Sequence, residues 1–289
     1  MTTRHPKPNS RSGRVHIDSD QVKQSEASLV EFHKNSVLVD RKGNTILSQI
    51  GPDLSPDPEG DRVGSRADSP WRRLPQRAPF LLPQDKDIVM KFNESANEDL
   101  KLHHELLPEP FLGNPEAPVV LLNKNPGYSS PKDLTDHTPP ASNTGAWSNL
   151  LHKRTAFPFY LLDPDQSRAL GYKWWNNKLK SLIENCGRRL VARSVLCVEY
   201  FPYHSRRFGH GELALPSQQY NFDLVRSAIS RHAVIVVMRG KRQWFKAIPE
   251  LQSYSRIYYL RNPQNPTISP KNCPEGYASV VRAIGRMAP

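Results

Sequence analysis

The chain has 289 residues, of which 37% are apolar and 27 are proline, and it carries a formal net charge of +12 at pH 7. A mean hydropathy of -0.63 is low for a chain packed along its whole length, so one part is expected to supply the core and another little of it. Three widely spaced cysteines exclude a CxxC metal knuckle and a four-cysteine iron–sulfur site, and no apolar run approaches the roughly eighteen residues of a membrane span.

These features predict a reduced, cytoplasmic chain with no metal and no membrane partner. The charge favours a polyanion, because each Lys or Arg that neutralises a phosphate releases a counterion. A merely solvated basic surface is the plainer alternative.

Residues 1–75 differ in kind from the rest and read as a largely flexible, basic and proline-rich region. Residues 1–25 are almost wholly polar, and seven prolines between Pro52 and Pro83 mark a linker. One island, Val37-Leu38-Val39 and Thr45-Ile46-Leu47 around a turn-like Asp40–Asn44, suggests a small hairpin at 37–48. Two strands alone are marginal in water, so the region is expected to dock a partner or tether the chain.

Residues 76–289 have the texture of a globular domain, expected to be monomeric. Val119-Val120-Leu121-Leu122 is a short apolar run ended by an Asn-Pro-Gly breaker, which fits a buried strand. Trp175, Leu179, Leu182, Ile183 and Cys186 fall at helical spacing, with Gly187 as the stop. Ser194 to Phe201 reads as a second strand, stopped by Pro202. Phe222, Val225, Ala228 and Ile229 mark another helix, and 233–238 is the strongest strand. A short helix follows Gly240, Ile257 to Leu260 make a fourth strand, and Tyr277, Val280, Val281 and Ile284 line a last helix. Strand and helix thus alternate four times. The pattern predicts an α/β domain, three layers (α/β/α) around a central four-stranded parallel sheet.

In such a sheet, ligands bind beyond the carboxyl ends of the strands. The four loops there are 123–129, 201–207, 239–242 and 261–266, and none contains Asp or Glu. They carry amides, aromatics, an imidazole and cations, which suits phosphates, base faces and base edges. Taken singly each residue has a plainer reading. Asn-Pro pairs are common turns, His204 is an ordinary structural histidine, and lone arginines are surface charges. The shared bias of four converging loops is what points to a nucleic-acid crevice.

Leu107-Pro108-Glu109-Pro110-Phe111-Leu112-Gly113-Asn114-Pro115, then a strand and Asn125-Pro126-Gly127, resembles the uracil-DNA glycosylase superfamily. The nearest branches are the mismatch-specific and single-strand-selective ones with an Asn-Pro-Gly first motif. Asn262-Pro263-Gln264 stands where their second motif follows the last strand. The resemblance implies a monofunctional DNA N-glycosylase without cofactor, in which Asn125 holds the attacking water and Asn262 stabilises the departing base. It implies that Tyr128 and His204 border the base, with Trp147 or Phe157 stacking on it. Lys124, Arg206, Arg207, Arg239, Lys241, Arg242 and Arg261 would grip DNA phosphates. Certain members of the superfamily excise modified bases from phage genomes, so antiviral defence is a further implied role.

The chain also departs from that pattern. Asn123 replaces a usual glycine, Lys124 precedes the motif, and Glu199 stands where an asparagine reads uracil. A carboxylate accepts hydrogen bonds, so Glu199 suits an amino group and predicts a cytosine-type or modified base. The plainer alternative turns Glu199 away or onto Arg206. Two other readings are a catalytically inactive nucleic-acid-binding module of the same fold, and a hydrolase using Ser205 and His204. The last lacks a Gly-x-Ser-x-Gly elbow, and adjacent residues rarely face each other correctly.

Overall fold

The longest apolar runs lie side by side in one sheet, where neighbouring strands pair one another's backbone groups. The computed structural model describes residues 69–128 and 144–287, which belong to one unit, Gly60–Pro289. The expected hairpin at 37–48 lies outside the described residues. The fold is α/β, with a sheet of order β1-β3-β2-β4-β5. Its strands are β1 (Phe111–Gly113), β2 (Val119–Asn123), β3 (Val195–Glu199), β4 (Val234–Val237) and β5 (Ile257–Tyr259). The last four run parallel, whereas β1 pairs antiparallel with β3, Phe111 opposite Val198.

The sheet is therefore five-stranded and mixed rather than four-stranded and parallel. Three residues between prolines are too short to register as a strand by periodicity, and tertiary pairing makes β1 one. Gly113 ends it at φ +111, so close to β3 that an added Cβ would meet the Val195 carbonyl oxygen at 2.2 Å. Gly113→Ala is expected to cost about 2–4 kcal/mol, seen as a lower denaturation midpoint with an unchanged slope.

Eight α-helices occur among the described residues: α1 (Lys86–Ser95), α2 (Thr144–Leu150), α3 (Leu170–Lys178), α4 (Lys180–Cys186), α5 (Arg188–Ser194), α6 (Gln218–Ser230), α7 (Lys241–Ala247) and α8 (Tyr277–Gly285). The single helix expected over 175–186 is broken at Leu179. Gly187, at φ +83, does end α4, but it also turns the chain directly into α5. α6 packs on β3, and α8 on β2 and β4. The strands β2, β3 and β4 are buried at every position. The core also reaches upstream of the expected boundary at residue 76: Trp71 and Leu74 are buried, and Trp71 lies edge-on to Tyr203. No helix among the described residues is long and apolar enough to cross a membrane.

In this order the connections from β2 and β3 leave on opposite sides of β2. A crevice results at the carboxyl ends of the central strands, where open α/β sheets take their ligands.

Candidate active site

That crevice holds a cleft of about 1190 Å³ to which all four parallel strands contribute. Residues 123–128 come from the end of β2, Glu199 and 204–208 from β3, Arg239 and Gly240 from β4, and Pro263 and Gln264 from β5. The convergence expected from the loops is thus observed, and two further walls join it. Glu109 enters from the segment before β1, and Trp174 and Trp175 from α3.

The first loop is held rigidly. Gly127 bridges to Ser205 in parallel fashion, and the Tyr128 amide donates to the Ser205 carbonyl at 3.2 Å. Asn125 Nδ2 donates to Ser205 Oγ at 2.9 Å and to the Pro126 carbonyl at 3.0 Å. The orientation of the carboxamide follows: its nitrogen is engaged by the protein, and its oxygen is left to accept a hydrogen bond. Ser205 Oγ in turn donates to the Arg207 carbonyl at 3.0 Å and is buried. Its proton therefore points at a carbonyl rather than a base, which removes the support for a Ser205–His204 nucleophile pair. Ser205 positions Asn125 instead. Ser205→Ala is expected to lower kcat about fivefold with KM unchanged, because one neutral hydrogen bond of this kind is worth about 1 kcal/mol. An equal change in KM would argue against the positioning role.

His204 is buried, with Nδ1 at 2.9 Å from the Gly127 carbonyl and Nε2 at 3.0 Å from the Leu107 carbonyl. It borders the cleft while clamping two backbone segments together. Tyr128 lines the cleft as expected and stacks on His103 with ring centroids 3.9 Å apart.

Two buried polar residues of the cleft, Asn123 and Glu199, pair in register across β2 and β3. Asn123 Nδ2 donates to Glu199 Oε1 at 3.0 Å. Both residues are nearly inaccessible, 4% and 3% exposed, yet Asn123 Oδ1 and Glu199 Oε2 have no hydrogen-bond partner among the described residues. Two orphaned atoms on neighbouring residues that line the cleft call for a partner, since each costs about 1–3 kcal/mol while unpaired. Burial pushes the Glu199 carboxyl up to about 8; the nearby Glu109 adds to this, while the Asn123 hydrogen bond and Arg239 oppose it. At neutral pH the group is mostly the acid, not the carboxylate the sequence suggests. Arg206 does not reach it: that guanidinium pairs with Asp99 at 3.5 Å.

Glu109 accepts a short hydrogen bond from the buried Tyr160 hydroxyl. Trp174 is the half-buried member of the Trp174-Trp175 pair, flanked by two cations, Lys178 at 5.3 Å and Arg239 at 5.9 Å from its ring centroid. Arg239 also donates to the Pro263 and Gln264 carbonyls, at 3.2 and 3.1 Å.

Several expected residues lie elsewhere. Trp147 packs edge-on against Phe80, and Phe157 packs on the core, and neither lines the cleft. Asn262 is outside the cleft wall: its side-chain oxygen accepts from the Gln264 and Asn265 amides at 3.1 and 3.2 Å. An Asx turn consumes the group, and the loop meets the cleft through Pro263 and Gln264 instead. Lys241, Arg242 and Arg261 are exposed but do not line the cleft, Lys241 sitting 4.1 Å over the Tyr259 ring. Lys124, Arg206, Arg207 and Arg239 do line it. Phe201 and Tyr203 are buried; the Tyr203 hydroxyl donates to Asp85 at 2.8 Å, so these aromatics belong to the core. Sequence reasoning missed Trp174 and Glu109 as cleft residues, whereas Asn123 stood in the first expected crevice loop. The adjacent tryptophans carry a readable signal, since two neighbours on a helix cannot both face the core.

Among the described residues no group of three His, Cys, Asp or Glu is disposed to hold a metal ion. No protein-family model, curated protein or solved structure matches the chain.

Proposed function

We propose that this chain is a hydrolase that works on a nucleotide extruded from its strand. More particularly, we propose a monofunctional, cytoplasmic DNA glycosylase of the uracil-DNA-glycosylase-like three-layer type, cleaving the bond between sugar and an amino-bearing or modified base.

The observation that carries the reading is the Asn125 carboxamide, fixed through its nitrogen in a cleft whose lining includes several cations and two residues with unpartnered polar atoms. Glycosidic cleavage builds positive charge on the sugar and negative charge on the base, so preorganised dipoles and a held water supply the catalysis. The base must leave the stack to reach such a depth, which requires phosphate grips and a stacking face. Lys124, Arg206, Arg207 and Arg239 fit the first need, and Trp174 with Tyr128 the second. The cleft volume exceeds the about 300–1,000 Å³ of ordinary small-molecule pockets, so substituents on the base are accommodated. Phage DNA with altered bases is a source of substrate that suits this reading. The Asx turn at Asn262 shifts stabilisation of the departing base onto other groups.

The test is incubation with DNAs of different base content, then alkali to break strands at abasic sites. Strand breaks at one base type support the proposal. Tight binding without breaks on any DNA favours an inactive binding module of the same fold.

A further inference from the structure

We propose that Glu199 is the general acid of this reaction, its Oε2 hydroxyl delivering a proton to the N3 ring nitrogen of a departing cytosine-type base. The inference rests on the glycosylase reading and narrows its substrate to amino-pyrimidines.

Geometry assigns the proton. Oε1 of Glu199 already accepts from Asn123 Nδ2 at 3.0 Å and from the Cys197 thiol at 3.8 Å, so Oε1 is the carbonyl-like oxygen. The proton then sits on Oε2, the buried oxygen without a partner, in a residue that lines the cleft. Beside it, Asn123 Oδ1 is an equally unpartnered acceptor. A hydroxyl donor next to an amide acceptor matches a base edge with a bare ring nitrogen next to an amino group. Cytosine presents N3 and N4 in that arrangement. Uracil carries hydrogen on N3 and has no lone pair there to take a proton.

The surroundings keep the proton available. The charged and titratable groups that bear on Glu199 are Glu109, Arg239 and the Cys197 thiol. Burial and Glu109 favour the protonated form, Arg239 opposes it, and the carboxyl titrates at about 8. An acid in that range is suited to donate at neutral pH.

The step balances. The electron pair of the C1′–N1 bond goes to the base as the Glu199 proton goes to N3, and the base departs neutral. The water held by Asn125 adds its oxygen to C1′ and loses a proton to solvent. Glu199 regains its proton from solvent.

The experiment measures single-turnover release of free base from DNAs carrying cytosine, 5-methylcytosine or uracil, between pH 5.5 and 9.5. Wild type, Glu199→Gln and Glu109→Gln are compared. Deoxycytidine binding, followed by tryptophan fluorescence, reports whether each cleft is intact. The expected results are release of the amino-pyrimidines in preference to uracil, and a rate that falls above pH 8, about tenfold per unit. Glutamine keeps the hydrogen bonds but has no proton to transfer. Glu199→Gln should therefore bind deoxycytidine within a few-fold of wild type, release base about 10²–10⁴-fold more slowly, and lack the alkaline fall. Glu109→Gln should move that fall to lower pH. Release by Glu199→Gln within threefold of wild type, or a wild-type profile flat to pH 9.5, overturns the inference. So does release of uracil alone, which leaves the glycosylase reading standing. No release from any DNA overturns that reading and this inference with it. If Glu199→Gln fails to bind deoxycytidine, the wild-type pH profile and base preference decide alone.

Discussion

Asn125→Ala is expected to slow base release about 10²–10³-fold, with DNA affinity changed less than threefold. The reason is directional. The side-chain nitrogen is bound to Ser205 Oγ and the Pro126 carbonyl, so the carboxamide cannot turn over without placing its oxygen against another oxygen. A water that donates to the side-chain oxygen is held by a dipole already aligned before substrate arrives. That alignment costs nothing at the moment of reaction, which is why one such group is worth about 3–4 kcal/mol. Single-turnover rates and equilibrium binding to the same duplex separate the two effects. A loss of affinity equal to the loss of rate would show that Asn125 grips DNA instead of orienting water.

Glu199→Gln is expected to raise thermal stability, and increasingly so as pH rises. The folded protein holds a proton on Glu199 up to about pH 8, whereas an unfolded carboxyl releases it near 4.5. Between those values the folded state binds more protons than the unfolded state, so stability falls as pH rises through the window and levels off above it. Glutamine cannot ionise and escapes that fall. The variant should melt about 10–20 °C above wild type at pH 8.5, with the gap closing by pH 4.5, given about 1.4 kcal/mol for each pH unit of that window and about 2–4 °C per kcal/mol for a domain of this size. Equal melting temperatures across the range would mean that Glu199 is not buried as a proton-bearing group. A residue whose replacement stabilises the fold while removing activity is one retained for chemistry.

The sequence made the strand ends legible and left the side-chain directions hidden. Apolar runs such as 119–122 and 234–237 identify inner strands because nothing else buries so many consecutive apolar residues. Each strand's carboxyl end then follows, and with it the crevice. Loop residues obey no such period. Asn262 satisfies its own backbone, Phe201 and Tyr203 turn into the core, and Trp147 packs on Phe80 instead of entering the cleft. Each outcome depends on neighbours distant in sequence. The pairing of Asn123 with Glu199 also depends on register between β2 and β3, which a one-residue slip would undo. Glu199 was visible as an oddity, but its protonation was not, because that depends on burial and on Glu109.

Asp99 gives the cleft rim a property of its own. Its carboxylate lies 3.5 Å from an Arg206 nitrogen and 3.3 Å from an Arg207 nitrogen, although both arginines remain largely exposed. The rim thus carries a resident anion beside two of its cations. Two arginines that share one carboxylate present one net positive charge, so together they neutralise fewer phosphates, and the dependence of binding on salt should be shallower than the number of arginines suggests. Asp99 acts as a placeholder that casual polyanions must displace, while a strand that also seats a base in the cleft has further contacts to offset that displacement.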